Sequence, residues 1–439
     1  RTALLPGGWR DDVTVTVAAG RIVSVGPRQA PAEVDILLPA PANLHSHCFQ
    51  RALAGLTEAP GPAGDSFWTW RAQMFRFLDR LTPEDVEAIA AFAMVEMLEE
   101  GFASLGEFHY LHHAPDGPYD DIAEMSARIA AAAAATGMGL TLLPVLYMQG
   151  GCDGRPLEGG QARFGCDFSA FQRLVQAADA HLRALPDAGL GIAPHSLRAV
   201  PPEALAEAVA LAAGRPIHLH LAEQEAEVAE VATHLGTRPV TWLLDTHDVG
   251  PGWCAIHCTQ MTPEETPRLA ATGAVAGLCP VTEASLGDGI FDGVRYLGAG
   301  GRFGLGTDSN IRISLAGELR ALEYSQRLRD LGRAMLADAQ ANGARLFRAA
   351  AEGGAQAIGR DAGRIAPGAW ADLLALDGGH PDLVARTGDK LLESFMVAGD
   401  RRMVSAVWSA GRRVVSEGRH RDRDRIAARY RATLERLLA

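Results

Sequence analysis

The segment Asn43-Leu-His45-Ser-His47-Cys-Phe-Gln50-Arg51 sets two histidines two residues apart at the end of an apolar run, Val34 to Ala42. If that run is a strand, residues i and i+2 point to one side, so His45 and His47 face a single point. Two imidazoles converging at a strand end can hold a divalent metal such as zinc; two ordinary polar residues at a strand end give the same pattern. Other apolar runs close in the same way. Glu107, His109 and Tyr110 end one, His195 another, His220 and Glu223 a third, His257 a fourth and Asp308 a fifth. Each has an ordinary reading when taken singly. His218 shares the alternation of His220 and fits an interior lining position, and His257 fits a core histidine. Asp308, in Gly304-Leu-Gly-Thr-Asp308-Ser-Asn310, fits a helix cap or an Asx turn as well as a metal ligand. As a set, imidazoles with carboxylates are the donors of a hydrolytic metal site.

These residues act together only if the ends of the runs meet. Ala103–His109, Leu140–Tyr147, Leu190–His195, Ile217–Glu223, Cys254–Thr259, Val275–Pro280 and Arg302–Asp308 make eight with the opening strand, and stretches rich in Ala, Leu and Glu separate them. Thr82-Pro-Glu-Asp85 and Thr262-Pro-Glu-Glu265 are helix starts. Eight strand-then-helix units predict an α/β fold, a (β/α)8 TIM-type barrel, with its chemistry at the C-terminal ends of the strands. A doubly wound sheet is the competing architecture, but it usually carries a Gly-rich phosphate loop where this chain has His-Ser-His. Short strands flank this middle: residues 12–25 alternate as a hairpin about Ala19-Gly20, and Ala371–Leu376, Val404–Trp408 and Arg412–Val415 repeat that character. We read them as one small β-sandwich domain built from both termini, rather than two unrelated ribbons. The expected division is 1–40 for the N-terminal part of the sandwich, 41–355 for the barrel, and 356–439 for the rest of the sandwich plus a terminal helix. That helix, within Arg412–Leu438, reads as solvated, and the Gly-rich segment 149–167 as a lid over the barrel mouth.

Composition narrows the classes. The 439 residues are 48% hydrophobic and 21% charged, which suits a globular protein with a large core. A formal charge of −12 argues against nucleic acid or an anionic membrane as partner. The six cysteines lack a CxxC pair and read as reduced thiols of a cytoplasmic protein. The chain starts at Arg1 without an initiator Met, so residues are expected to be missing before it. No long uncharged apolar segment predicts secretion or a membrane span. We expect a homodimer.

The order His-x-His, a histidine followed three residues on by Glu223, then His257 and Asp308, resembles the amidohydrolase superfamily in its mononuclear deaminase branch. Closer still, Pro41–Glu58, Trp68-Thr-Trp-Arg71, Gly106–Tyr110, Ala193–Arg198, His218–Gln224 and Cys279–Asp288 resemble the formimidoylglutamate deiminase family along nearly the whole chain. Pro41-Ala42 and Cys48 depart from its pattern without touching a presumed ligand. The resemblance implies one divalent metal per subunit, zinc, held by His45, His47, His220 and Asp308, with a water activated on it. Glu223 would shuttle a proton to the departing nitrogen, His257 would orient the attacking oxygen, and Asp308 would also accept the water's proton. Gln50, Arg71, Tyr110, His195 and Arg198 would bind a small dicarboxylate, N-formimino-L-glutamate, through guanidinium forks and neutral donors. The roles of Thr282 and Glu283 stay open. The alternatives are an aminohydrolase of a purine, pyrimidine or triazine ring, for which Arg71 and Arg198 would not matter, and a noncatalytic ligand-binding barrel.

Overall fold

Short apolar and β-branched runs open the chain. In the computed structural model, which describes residues 1–57, 74, 75, 77–338 and 341–439, β1 (Thr2–Leu5) pairs antiparallel with β2 (Gly8–Asp11). β3 (Val13–Ala18) and β4 (Arg21–Pro27) form the expected hairpin. Its turn needs left-handed backbone at both central residues, and Ala19 (φ 48°) and Gly20 (φ 79°) supply it.

The apolar run before the histidines is two strands, not the single Val34–Ala42 strand expected. β5 (Ile36–Pro39) runs parallel to β1, and the chain crosses Pro39-Ala-Pro41 into β6 (Ala42–Ser46), which belongs to a different sheet. Proline supplies no N–H to a ladder, so the Pro-Ala-Pro step is where pairing changes hands. His45 therefore lies within a barrel strand and His47 just past its end.

β7 (Ser104–His109), β8 (Gly139–Leu146), β9 (Gly189–Leu190), β10 (Ala193–Pro194), β11 (Ile217–Leu221), β12 (Trp253–His257), β13 (Val275–Leu278) and β14 (Arg302–Leu305) join β6 in a parallel sheet, ordered β10-β8-β7-β6-β14-β13-β12-β11 with β9 also on β8. Bridges Ile192↔Ile217 and Ser196↔His220 join its two ends, so the sheet closes as a (β/α)8 barrel. The fourth strand, expected as one run from Leu190 to His195, is the two short pieces β9 and β10. Ala42, Leu44, Cys254, Ile256, Val275, Cys279, Ala357 and Ile358 form a compact apolar cluster at its centre.

Helices are set by local signals. Thr82 and Asp85 make a reciprocal capping box on Pro83–Glu99. The helix Asn342–Ala357 approaches the barrel backbone so closely that a Cβ on Gly353 would lie 1.9 Å from the Phe303 carbonyl oxygen, which is why glycine stands there. The C-terminal helix Arg423–Leu438 is not wholly solvated: its Ile426, Ala427, Tyr430, Thr433 and Leu437 are buried, and Tyr430 stacks on Phe92 of the capped helix at 4.2 Å.

The chain returns to β5 through β15 (Leu373–Leu376), β16 (Val404–Ser409), β17 (Arg412–Ser416) and β18 (Arg419–His420), giving a seven-stranded sheet β18-β17-β16-β15-β5-β1-β2. The two ends of the chain thus share one sheet through β1, β2 and β5, while the hairpin expected in the same domain forms a separate two-stranded sheet bridged to it at Arg21↔Trp370. Arg360 ties this sheet to the barrel. Its buried guanidinium spans Asp372 (2.6 Å), just before β15, and Asp187 (3.0 Å), just before β9, and Arg412 of β17 completes the group on Asp187 at 2.8 Å. Of the six free cysteines five are buried, and no helix among the described residues is long and apolar enough to cross a membrane.

Removing one member of a buried ion group strands the others' charges. Arg360→Ala is expected to cost about 3–5 kcal/mol, read as a lowered urea midpoint with little change in slope. Arg412→Ala, whose side chain is 35% exposed, should cost far less.

Candidate metal centre and substrate cavity

His45 and His47 bring their rings to a 4.7 Å centroid separation, as two residues apart on a pleat requires. β11 lies across the barrel and brings the His220 Nε2 to 3.2 Å from that of His45. Asp308 Oδ1 stands 3.5 Å from His45 Nε2 and 3.2 Å from His47 Nε2. Donors bound at ~2.0–2.2 Å around a tetrahedral ion are roughly 3.3–3.6 Å apart, so this spacing fits a small divalent metal such as zinc. Tautomers agree with the fit. His47 Nδ1 donates to the Phe108 carbonyl at 2.9 Å and His220 Nδ1 to the His195 carbonyl at 3.2 Å, leaving each Nε2 lone pair facing inward. Burial pushes His45 down to about 3 and lowers His47 and His220 also, which favours the neutral imidazoles that a metal would need. Burial alone would raise Asp308, but the His45 hydrogen bond and the other imidazoles hold it below the usual carboxylate range.

The strand carrying Asp308 is held by polar side chains. β14 and β6 share a single ladder pair, Leu305↔Asn43. Beyond it, Asn43 Nδ2 donates to Thr307 Oγ1 (2.7 Å), and Thr307 Oγ1 donates to Asn310 Oδ1 (2.6 Å). Asn310 Nδ2 then reaches Ser46 Oγ (3.0 Å) and the Asp308 carbonyl (2.9 Å). Backbone bonds Asp308 N to His45 O (3.0 Å) and His47 N to Asp308 O (2.9 Å) finish the seam. Asp308 (φ 46°) and His257 (φ 70°) occupy left-handed backbone, a strain that such surrounding bonds must outweigh.

His257 lies between carboxylates. Its Nε2 is 3.7 Å from Glu223 and 3.9 Å from Asp308, and its Nδ1 is 3.2 Å from Glu283. Burial would lower His257, but these carboxylates, Glu223 foremost, raise it above its ordinary value. Burial in turn pushes Glu223 up to about 7. Glu283 also accepts from the Cys279 N–H at 2.8 Å, so it supports His257 from behind; Thr282 Oγ1 meets Ser309 Oγ at 3.0 Å. Neither residue lines the cavity.

That cavity is walled by His47, Gln50, Met74, Tyr110, Tyr147, Phe164, His195, Arg198, His220, Glu223, His257 and Asp308. The structure thus gathers every residue given a metal, catalytic or substrate-binding role above except His45, which lies beneath the floor, and Arg71, which lies outside the described residues. Gln50 Nε2 donates to Tyr110 Oη at 2.5 Å. Glu107 and His109, expected at the same rim, are not there. On β7 they alternate with Phe108 and Tyr110, and it is this second pair that faces His45 and His47, at 5.0 and 4.6 Å. Glu107 accepts from the Cys48 N–H instead, at 2.8 Å. His218 donates to the Ala357 carbonyl at 2.8 Å, on the barrel's inner side, as its lining reading requires. The segment expected as a lid contributes Phe164 to the wall. Missed from the sequence were Asn43, Thr307 and Asn310, although three polar residues in otherwise apolar strand ends are a signal, and Tyr147, which nothing in its run distinguishes.

A (β/α)8 barrel with a three-histidine, one-aspartate donor set at its strand ends defines a class of metal-dependent hydrolases. The amidohydrolase family model matches residues 36–414, and this chain belongs to that family. It is 46% identical, over 99% of its length and 98% of the other's, to the formimidoylglutamate deiminase of Pseudomonas aeruginosa. A 5-methylthioadenosine/S-adenosylhomocysteine deaminase of Natronomonas pharaonis is 28% identical over 85% of this chain and 81% of its own. Among solved structures, an amidohydrolase from Brucella melitensis superimposes with a TM-score of 0.96 at 46% identity, covering 100% of this chain and 99% of its own.

Asn310→Asp keeps the shape and tolerates left-handed backbone but replaces the donors of the seam with acceptors. Zinc affinity should fall about 10- to 100-fold in a competition titration with a chromogenic chelator, with the far-ultraviolet circular dichroism unchanged.

Proposed function

We propose that this protein hydrolyses the C=N bond of N-formimino-L-glutamate, giving N-formyl-L-glutamate and ammonia, a step of histidine degradation. One observation carries the choice of substrate. Arg198 is only 7% exposed and lines the same cavity as the histidines, yet no carboxylate of the described residues lies within ion-pair distance of it. Glu227, nearby, is turned to the backbone N–H groups of Ala222 and Glu223, and Glu230 pairs with Arg155 at 3.0 Å. A buried guanidinium with no carboxylate in direct ion-pair contact, only Glu223, Glu227 and Glu230 acting on it from further off, is a site for an anionic ligand group. A neutral purine or pyrimidine ring gives it nothing to pair with. The likeness to the Pseudomonas aeruginosa deiminase supports the same reading.

His45, His47, His220 and Asp308 would hold the metal, one ion per subunit, with zinc favoured by the imidazole-rich donors. When bound, it supplies Lewis acidity and a nucleophilic water near neutral pH. The chain's own residues do the rest. Asp308, ionised and beside the donor cluster, takes a proton from the attacking water. His257, cationic among its carboxylates, orients and stabilises the oxygen that adds to the formimino carbon. Glu223 borders the cavity and, with a carboxyl near 7, passes a proton to the imine nitrogen as the oxygen adds. The proton taken by Asp308 then goes to the resulting amine, the added hydroxyl gives its proton back to Glu223, and the C–N bond breaks to release ammonia and the formyl product. Gln50, Tyr110 and His195 line the wall that positions the rest of the substrate, with Arg71 proposed beside them from the sequence. Free, mostly buried thiols suit a reducing cytoplasm; assembly as a homodimer belongs to the same reading.

Ammonia release should be measured from N-formimino-L-glutamate beside cytosine, guanine and S-adenosylhomocysteine. The expected result is turnover of the formimino compound alone, abolished by chelator and restored by zinc. Turnover of a ring substrate alone would defeat the assignment, and chelator-insensitive turnover the metal mechanism. Arg198→Ala should raise KM by roughly 100-fold, the scale of a lost charge-assisted pair, and leave metal content intact.

A further inference from the structure

Arg198 is a long side chain, and a flexible guanidinium loses much of its binding energy to ordering. The structure holds it. Tyr147, just past the end of the third barrel strand, lines the same cavity as Arg198, and its phenol is among the groups that act on the guanidinium. Arg198 Nη1 also donates to the Gly150 carbonyl at 3.4 Å, and its own carbonyl accepts from Gln149 Nε2 at 3.3 Å. Tyr147 is fixed in turn. Gln161 Nε2 donates to Tyr147 Oη at 3.0 Å. The amide is oriented by its other end, because Gln161 Oε1 accepts from the Glu158 N–H at 3.2 Å at the head of the short helix Gly159–Arg163. The nitrogen must therefore face the phenol. That helix is anchored by the buried Arg163, which donates to the carbonyls of His113 (2.7 Å) and Leu81 (3.1 Å) and to that of Leu78. Tyr147 also packs edge-on against His195, with ring centroids 4.5 Å apart.

We propose that Tyr147, locked by Gln161, is the positioning residue that sets Arg198 against one substrate carboxylate, so that residues 149–163 act on specificity through this chain of contacts. The inference rests on the functional reading above. Tyr147 acts through Arg198, so its removal costs binding of the carboxylate and not the hydrolytic step.

The test uses Tyr147→Phe and Gln161→Ala in the zinc-loaded enzyme with three substrates: N-formimino-L-glutamate and its two monoamides, N-formimino-L-glutamine and N-formimino-L-isoglutamine. Each variant should raise KM for the dicarboxylate, roughly tenfold for Tyr147→Phe, with kcat within about twofold and zinc content unchanged. On one of the two monoamides, the one lacking the carboxylate that Arg198 binds, the penalty should shrink to about twofold or less; on the other it should persist. In the Arg198→Ala background Tyr147→Phe should add nothing. An equal penalty on all three substrates, a fall in kcat at constant KM, or additivity with Arg198→Ala would overturn the positioning role while leaving the activity assigned. A wild-type enzyme inert toward N-formimino-L-glutamate would overturn the functional reading and this inference with it.

Discussion

Asn310 is wholly buried, and the site depends on the bonds it makes. Between the strands that carry His45 and lead to Asp308 there is one ladder pair, Leu305↔Asn43, and one further bridge, Ser46↔Asp308. Asn43, Thr307, Asn310 and Ser46 add side-chain bonds to that backbone pairing, and the seam holds Asp308 within 3.5 Å of two imidazole nitrogens. Because the network is desolvated, each member is worth more paired and costs more unpaired than it would in water. That dependence is why a left-handed aspartate can persist at a strand end.

Burial does a second thing to the same residues. Withdrawn from water, His45, His47 and His220 favour their neutral forms, and a backbone carbonyl on Nδ1 of the last two turns Nε2 inward. His257, buried as deeply, is driven the other way because carboxylates surround it. One barrel mouth thus holds imidazoles of opposite tendency, favouring the neutral form on one side and the charged form on the other, and the difference comes from neighbours and not from residue type.

Much of this was legible in the sequence because it rests on short-range rules. Period two set His45 and His47 on one side, and the repeat of strand and helix called for a barrel whose strand ends converge. The same rule, misapplied, put Glu107 and His109 at the rim: alternation gives two faces, and a strand read alone does not say which face looks inward. The run Val34–Ala42 looked continuous because apolar character does not record which sheet a residue joins; the two prolines did, and were the better signal. Tyr147 and Gln161 were silent for another reason. They are partners 14 residues apart across a loop, with no motif of their own.

By itself, then, the sequence determined the elements and the chemistry available at their ends, since propensity, pleat alternation and capping act over a few residues. It also carried the family, through motifs spread over most of the chain. Only the tertiary structure decided which of the buried polar residues converge on one point, which brace them and which lie apart. His257, Glu283 and His218 are all buried, and only distances across the barrel separate an imidazole among carboxylates from its brace and from a histidine capped by a helix carbonyl. Those distances are fixed by packing between residues far apart in the chain, where no local rule reaches.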